Sequence, residues 1–230
     1  MMMSTRKICL TGLLLILLSA YGRAQGGIEV TPTFRFADGI YLSYEAFQRN
    51  QPDLLWSDLI RRGVTNPETL ITQVEYIKDK ETMEELPLED LWGICLEGLP
   101  FIRIPEDSIY KALTSFVGLR VAGNINYLSY ENRIEKEYEI AAYNPLNGQP
   151  FRRATVKRPV TVFVEKIMDF ETGQIYPFNE ASLRQLMAKD PQLMTVLNEL
   201  EAGEEEYEEQ LFRLLMSFNR RHRVFFKPQK

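Results

Sequence analysis

Apolar and polar positions alternate along much of this chain. Ile28, Val30, Phe34 and Phe36 are separated by Glu29, Thr31, Thr33 and Arg35, the period-two pattern of a half-buried strand. Pro32 falls on the apolar face and cannot donate to a ladder, which predicts an edge strand. Asp38-Gly39 turns into Ile40-Tyr41-Leu42, and Ser43 is placed to cap a short helix that runs to Asn50 and stops at Pro52. Over residues 53–63 the apolar positions Leu54, Leu55, Trp56, Leu59 and Ile60 match helical spacing loosely, with Gly63 as a possible close. Residues 70–78 fit both periods. Leu70, Ile71, Val74 and Ile77 suit a helix and Leu70, Thr72, Val74 and Tyr76 a strand, and the β-branched and aromatic content favours the strand.

Trp92 to Leu96, then Glu97-Gly98, then Leu99 to Ile104 reads as a β-hairpin, with Gly98 supplying positive φ at the turn. Strand patterns follow at 115–121, 125–130 and 135–143, and Asn147-Gly148 between Pro145 and Pro150 marks a loop. The strongest strand pattern covers 160–170, and Glu171-Thr172-Gly173 returns it to Gln174-Ile175-Tyr176. After Pro177 the period changes. Asn179 caps a helix to Lys189, Asp190 caps a second with Pro191 in its first turn, and residues 204–221 form a third. In the third, Tyr207, Leu211, Leu214 and Phe218 share a face, acidic residues begin the helix and basic ones end it, as its dipole prefers. Val224-Phe225-Phe226 suggests a last short strand.

Residues 1–24 stand apart. Arg6 and Lys7 precede an apolar run from Leu10 to Leu18, and Gly22 and Ala24 occupy the small-residue positions of a cleavage site before Gln25, so this segment reads as a secretory signal peptide cut between Ala24 and Gln25. Ser19 and Arg23 interrupt the run short of the roughly 20 residues that a membrane span needs. Cleavage would remove Arg6, Lys7 and Arg23 and no acidic residue, so the formal charge of −5 on 230 residues becomes −8 on about 206. It would also remove Cys9, leaving Cys95 with no internal disulfide partner. At 45% hydrophobic residues, a chain of that length can be held together by burial alone. Its acidity provides no global attraction for nucleic acid.

The candidate chemistry is sparse. No G-x-G-x-x-G, P-loop, H-E-x-x-H, C-x-x-C or G-x-S-x-G motif occurs. One His and one Cys in the mature chain cannot assemble a His-rich or thiolate zinc site, so no metal or cofactor is expected. His222, between Arg221 and Arg223, reads as a helix-end residue rather than a general base, and Cys95 as an inert strand thiol rather than a nucleophile. Glu204, Glu205, Glu206, Glu208 and Glu209 read as a solvated helix start, because helical glutamates point around the axis and do not converge on calcium. Two basic clusters stand out against the acidic background. Arg152-Arg153 with Lys157-Arg158, and Arg220-Arg221-His222-Arg223, suit anionic headgroups, polyanionic glycans or an acidic partner, or else a solvated strand edge and a dipole-matched helix end.

The signal segment ending in Ala24-Gln25, the segment from Asp38 to Phe47 with Pro52 after it, Trp92-Gly93 followed by Gly98, and Asp169-Phe170-Glu171-Thr172-Gly173 before a Leu-rich helical end resemble a group of uncharacterised secreted envelope proteins of Bacteroidetes. The resemblance implies an envelope location, periplasmic or surface, and carries no activity or site residue. The fold expected is α+β: an antiparallel twisted sheet or half-open barrel over 25–176, with a helical segment over 177–230 packed on it. The function expected first is a non-catalytic interaction or binding module for an envelope protein or glycan. A carboxylate-based hydrolase of glycans and a carrier of a small apolar ligand are the alternatives.

Overall fold

The computed structural model describes residues 27–226 apart from 32, 104–112, 144–145, 147–149, 202 and 204–205. The signal segment expected over 1–24 with its expected junction at Ala24 and Gln25, Cys9, Pro32, most of the Asn147-Gly148 loop, and Glu204 with Glu205 lie outside these residues. The protein is α+β, and its strands pair antiparallel throughout the described residues.

Six strands form a curled half-barrel sheet in the order β2 (Gly39–Tyr41), β5 (Gly93–Leu96), β6 (Leu99–Arg103), β7 (Thr114–Gly118), β4 (Ile71–Asp79), β3 (Leu59–Asn66). The two-residue connection between β5 and β6 puts Glu97 at φ 53° and Gly98 at φ 76°, a turn whose twist matches that of the strands it joins. Between β3 and β4 the register shifts at Arg62/Gly63, so Glu75 is an extra residue. The bulge reverses the parity of β4, and Val74 and Ile77, three apart, both enter one core on a single face of the sheet. Ile40, Leu91, Ile94, Phe101 and Phe116 belong to the same core.

A second sheet has the order β10 (Ile175–Pro177), β9 (Pro150–Asp169), β8 (Ile125–Tyr143), and lies between two cores because its alternate residues face opposite ways. Leu128, Tyr130 and Met168 join Tyr41, Phe47, Cys95, Ile102 and Val117 in the central core against the opposite face of the half-barrel sheet. Ile125, Tyr127 and Ile167 face a core made with the C-terminal helices α2 (Glu180–Leu186), α3 (Pro191–Glu199) and α4 (Tyr207–Arg221), which contribute Leu183, Met187, Leu197, Leu211, Leu215 and Phe218. The early helix α1 (Tyr44–Gln48) is capped by Ser43, whose Oγ accepts from the Ala46 N–H at 3.2 Å, and it drives Phe47 into the central core. There Phe47 stacks on Phe36, with ring centroids 5.0 Å apart, and lies 4.8 Å from Trp92. A two-stranded ribbon of β1 (Ile28–Glu29) and β11 (Phe225–Phe226) brings the two ends of the described chain together.

Three sequence expectations change. The helix expected over 53–63 is instead an isolated bridge at Leu54, a 3-10 turn at Trp56–Asp58 and strand β3. Its apolar residues act singly: Leu54 pairs with the Ile40 backbone, and the Trp56 indole donates to the Cys95 carbonyl at 2.7 Å. Tertiary pairing with β4 outweighed a weak helical pattern. The strand expected over 28–36 shrinks to Ile28–Glu29 because its partner β11 is only two residues long, although Val30 and Phe36 are still buried. The break expected between 125–130 and 135–143 is absent: β8 runs 19 residues without interruption, since β9 pairs with it straight through Glu131, Asn132 and Arg133.

Candidate functional site

Two features gather side chains that the core does not consume. The first is a groove of about 580 Å³ between the second sheet and the C-terminal helices, lined by Glu165 of β9, Phe178, Asn179, Glu180, Arg184 of α2 and Tyr207, Glu208 and Leu211 of α4. Asn179 caps α2 by accepting from the Ser182 N–H at 2.9 Å, which sets Glu180 in the first turn. The Glu180 carboxylate then takes the Arg184 guanidinium on one oxygen at 2.6 Å and the Tyr207 hydroxyl on the other at 2.6 Å. Those two contacts, the tyrosine first, hold Glu180 below its ordinary pKa, and the same bond raises that of Tyr207. Glu165 accepts from the Tyr127 hydroxyl. Burial, with the Glu165 bond second, pushes Tyr127 up to about 12.

This arrangement joins α2, α4 and the sheet, and it holds Glu180 ionised. A general acid has to carry its proton near the working pH, and Glu180 is shifted the opposite way. Its members are scattered from residue 127 to 211, and the only local sequence signal among them is the i, i+4 spacing of Glu180 and Arg184.

The second feature is the outer part of the β8–β9 hairpin. The last core contacts of the two strands are Tyr130 and Val164, yet pairing continues from Glu131↔Phe163 to Tyr143↔Pro150. Thirteen residues at about 3.3 Å each carry the ribbon roughly 40 Å beyond the core. Register assigns its faces. Glu131, Arg133, Glu135, Glu137 and Glu139 share one face with Phe163, Thr161, Pro159, Lys157 and Thr155, and Lys157 meets Glu137 there at 3.6 Å. Asn132, Ile134, Lys136, Tyr138 and Ile140 share the other with Val162, Val160, Arg158, Val156 and Ala154. That second face continues the stripe that enters the central core as Leu128, Tyr130 and Val164. Out on the ribbon Tyr138 is 39% and Ile140 44% exposed. Isolated two-stranded ribbons are marginal in water, so an apolar face of this length is unusual without a cover.

The residues singled out from sequence divide accordingly. His222 does end α4: its Nε2 lies 3.0 Å from Asp190 Oδ2 and its ring 4.3 Å from that of Phe218. Asp190 itself caps α3 through the Leu193 N–H and pairs with Arg221 at 3.0 Å, so this basic cluster ties α3 to α4. Arg223 reaches Glu29 at 3.2 Å across the terminal ribbon. Cys95 is buried in the central core, and burial raises its pKa, which disfavours the thiolate. Among the described residues no group of three or more His, Cys, Asp or Glu is placed to hold a metal ion. Of the other basic cluster, Arg153 and Lys157 register on the glutamate face of the ribbon and Arg158 on the apolar one. The break expected after Tyr130 hides the ribbon in the sequence, although alternation runs over 134–140 and 154–162 with only Lys136 and Arg158 out of step.

Among the described residues no helix is long and apolar enough to cross a membrane. In comparisons with known proteins, no family model, curated protein or solved structure matches this chain.

Proposed function

We propose that the protein is an exported, non-catalytic interaction module of the cell envelope, periplasmic or on the surface of a Gram-negative bacterium, and that the β8–β9 ribbon engages its partner. The observation that carries this reading is the apolar face of the ribbon, which leaves the core at Tyr130 and Val164 and stays partly or fully exposed at its described side chains from Asn132 to Ile140 and from Ala154 to Val162. Exposed apolar surface of that extent on a defined element marks an interaction site. The signal segment at 1–24 and the resemblance to secreted Bacteroidetes proteins support the location. The buried cluster of Ile40, Val74, Ile77, Ile94, Phe101 and Phe116 on one face of the half-barrel sheet supports an interaction module over a carrier of an apolar ligand.

Fractionation of cells tests it. The full chain is expected in the envelope fraction, and a chain with residues 133–161 replaced by an Asn-Gly turn is expected to be released while still folded. Equal retention of both would overturn the reading.

The carboxylate groove supports one second reading, hydrolysis of a glycan in which Glu180, held ionised, would act as nucleophile or base with Glu165 as its partner. Purified protein that turned over an envelope glycan, with Glu165→Gln or Glu180→Gln abolishing turnover and leaving the fold intact, would establish that reading in place of the first.

A further inference from the structure

The outer ribbon sorts its charges by face. Glu131, Glu135, Glu137 and Glu139 all lie on one side. On the other, the described side chains include no carboxylate, and Lys136 stands directly opposite Arg158 in the middle of Ile134, Tyr138, Ile140, Val156, Val160 and Val162. Like charges placed opposite one another across a ladder repel. Neither cation forms an ion pair among the described residues, in contrast to Lys157 and Glu137 on the far side. The apolar face therefore presents an uncompensated pair of cations at its centre.

We infer that this face lies on the surface of an anionic phospholipid bilayer. The inference deepens the interaction-module reading and rests on it. Three features favour a bilayer over other occupants. A second copy stacked face to face about a two-fold axis would bring two Lys136 and two Arg158 side chains together. A rigid protein surface would have to bury both cations against carboxylates held at matching positions, at a high desolvation cost. A bilayer supplies phosphates wherever the cations reach. Lys and Arg extend flexible stems through the apolar layer to the headgroups, and Tyr138 has the amphipathic ring that prefers that depth. The glutamates then face water, away from the anionic surface. The acidic body does not prevent the approach, because the ribbon reaches roughly 40 Å from the core and charges are screened beyond about 8–10 Å at physiological salt. Pro159 also suits the arrangement: it stands on the free edge of β9, where a residue without an N–H discourages addition of another strand.

The test uses the exported protein, with the same N terminus in every variant, and sedimentation with vesicles of phosphatidylcholine alone or of equimolar phosphatidylcholine and phosphatidylglycerol. Binding is expected to the anionic vesicles, weakly or not at all to the neutral ones, and to fall as salt rises. Each cation near such a surface contributes about five-fold, so Lys136→Glu with Arg158→Glu should weaken binding by more than about twenty-fold. Ile140→Asn should weaken it as well, and Glu137→Gln with Glu139→Gln on the far face should not. Circular dichroism confirms that each variant is folded. Absence of binding to anionic vesicles at physiological salt overturns the inference, as does binding that survives the double charge reversal. A concentration-dependent dimer that the same reversal abolishes also overturns it, in favour of a second copy. If lipid binding fails while envelope retention still requires residues 133–161, the inference falls and the interaction-module reading stands. If retention is also independent of the ribbon, both fall.

Discussion

At the scale of single residues, the central core depends on aromatic rings brought together from distant parts of the chain. Phe47 is fully buried and touches Phe36, Tyr41, Tyr44, Trp92 and Phe170, so it links α1 to the half-barrel and to the end of β9. Phe47→Ala should destabilise the protein by about 3–5 kcal/mol, read from the shift of its urea unfolding midpoint, because a cavity of that size in a rigid surround collapses only partly. A destabilisation below about 1 kcal/mol would contradict the packing described. Gly173 is constrained twice. Its φ is +74°, and an added Cβ would come within 2.5 Å of the Tyr44 ring. That ring is held in place by its own hydroxyl, which donates to the Phe170 carbonyl. Gly173→Ala should therefore cost at least the roughly 1–2 kcal/mol of a left-handed non-glycine residue, measured as a fall in unfolding free energy. The turn was legible in Glu171-Thr172-Gly173, whereas the ring against it was not.

At the scale of elements, the hairpin of β8 and β9 divides into two parts with different physics. Its inner part is sandwiched between two cores, and among the described residues its outer part contributes no side chain to any of the three cores. Amide exchange should therefore fall into two classes. Amides in the inner part, around Leu128 and Ile167, should exchange only with global opening, and those around Tyr138 and Val156 by local opening at least about a hundred-fold faster. Uniform protection along both strands would show that the outer ribbon is covered in the protein alone. Replacing residues 133–161 by a two-residue turn removes no core side chain, so the melting temperature should move by no more than a few degrees. The C-terminal helices behave differently. Their caps, Asn179 and Asp190, and the apolar face of Tyr207–Arg221 were all readable from residue type and spacing, because capping and amphipathic periodicity are local.

For the whole molecule, acid should be the condition that loosens the packing of helices on the sheet. Burial disfavours the Asp190 carboxylate, but the bonds from His222 and the Leu193 N–H, with the charge of Arg221, outweigh it and lower its pKa from 3.8. Glu180 is lowered from 4.5 by Tyr207 and Arg184. A group depressed in the folded state stabilises it fully above the unfolded pKa and loses that contribution as pH falls through the folded value. Stability should thus decline below about pH 4.5, and Asp190→Asn should lower stability at neutral pH while making the acid limb shallower, as followed by thermal melts across pH. An unchanged acid limb would remove Asp190 from the account. The sequence by itself determined the α+β class, the half-buried character of most strands, the hairpin turns at Gly98 and Gly173 and the helix caps. Each of these depends on neighbours within a few residues, so composition and period suffice. The tertiary structure alone decided that 53–63 supplies an edge strand, that β8 continues past Glu131, and that Glu165, Glu180 and Tyr207 meet in one groove. It also decided that the glutamates of the ribbon and its apolar stripe face opposite ways. Those outcomes depend on which strand pairs with which and in what register, and a one-residue change of register would turn every side chain of the ribbon to the other face.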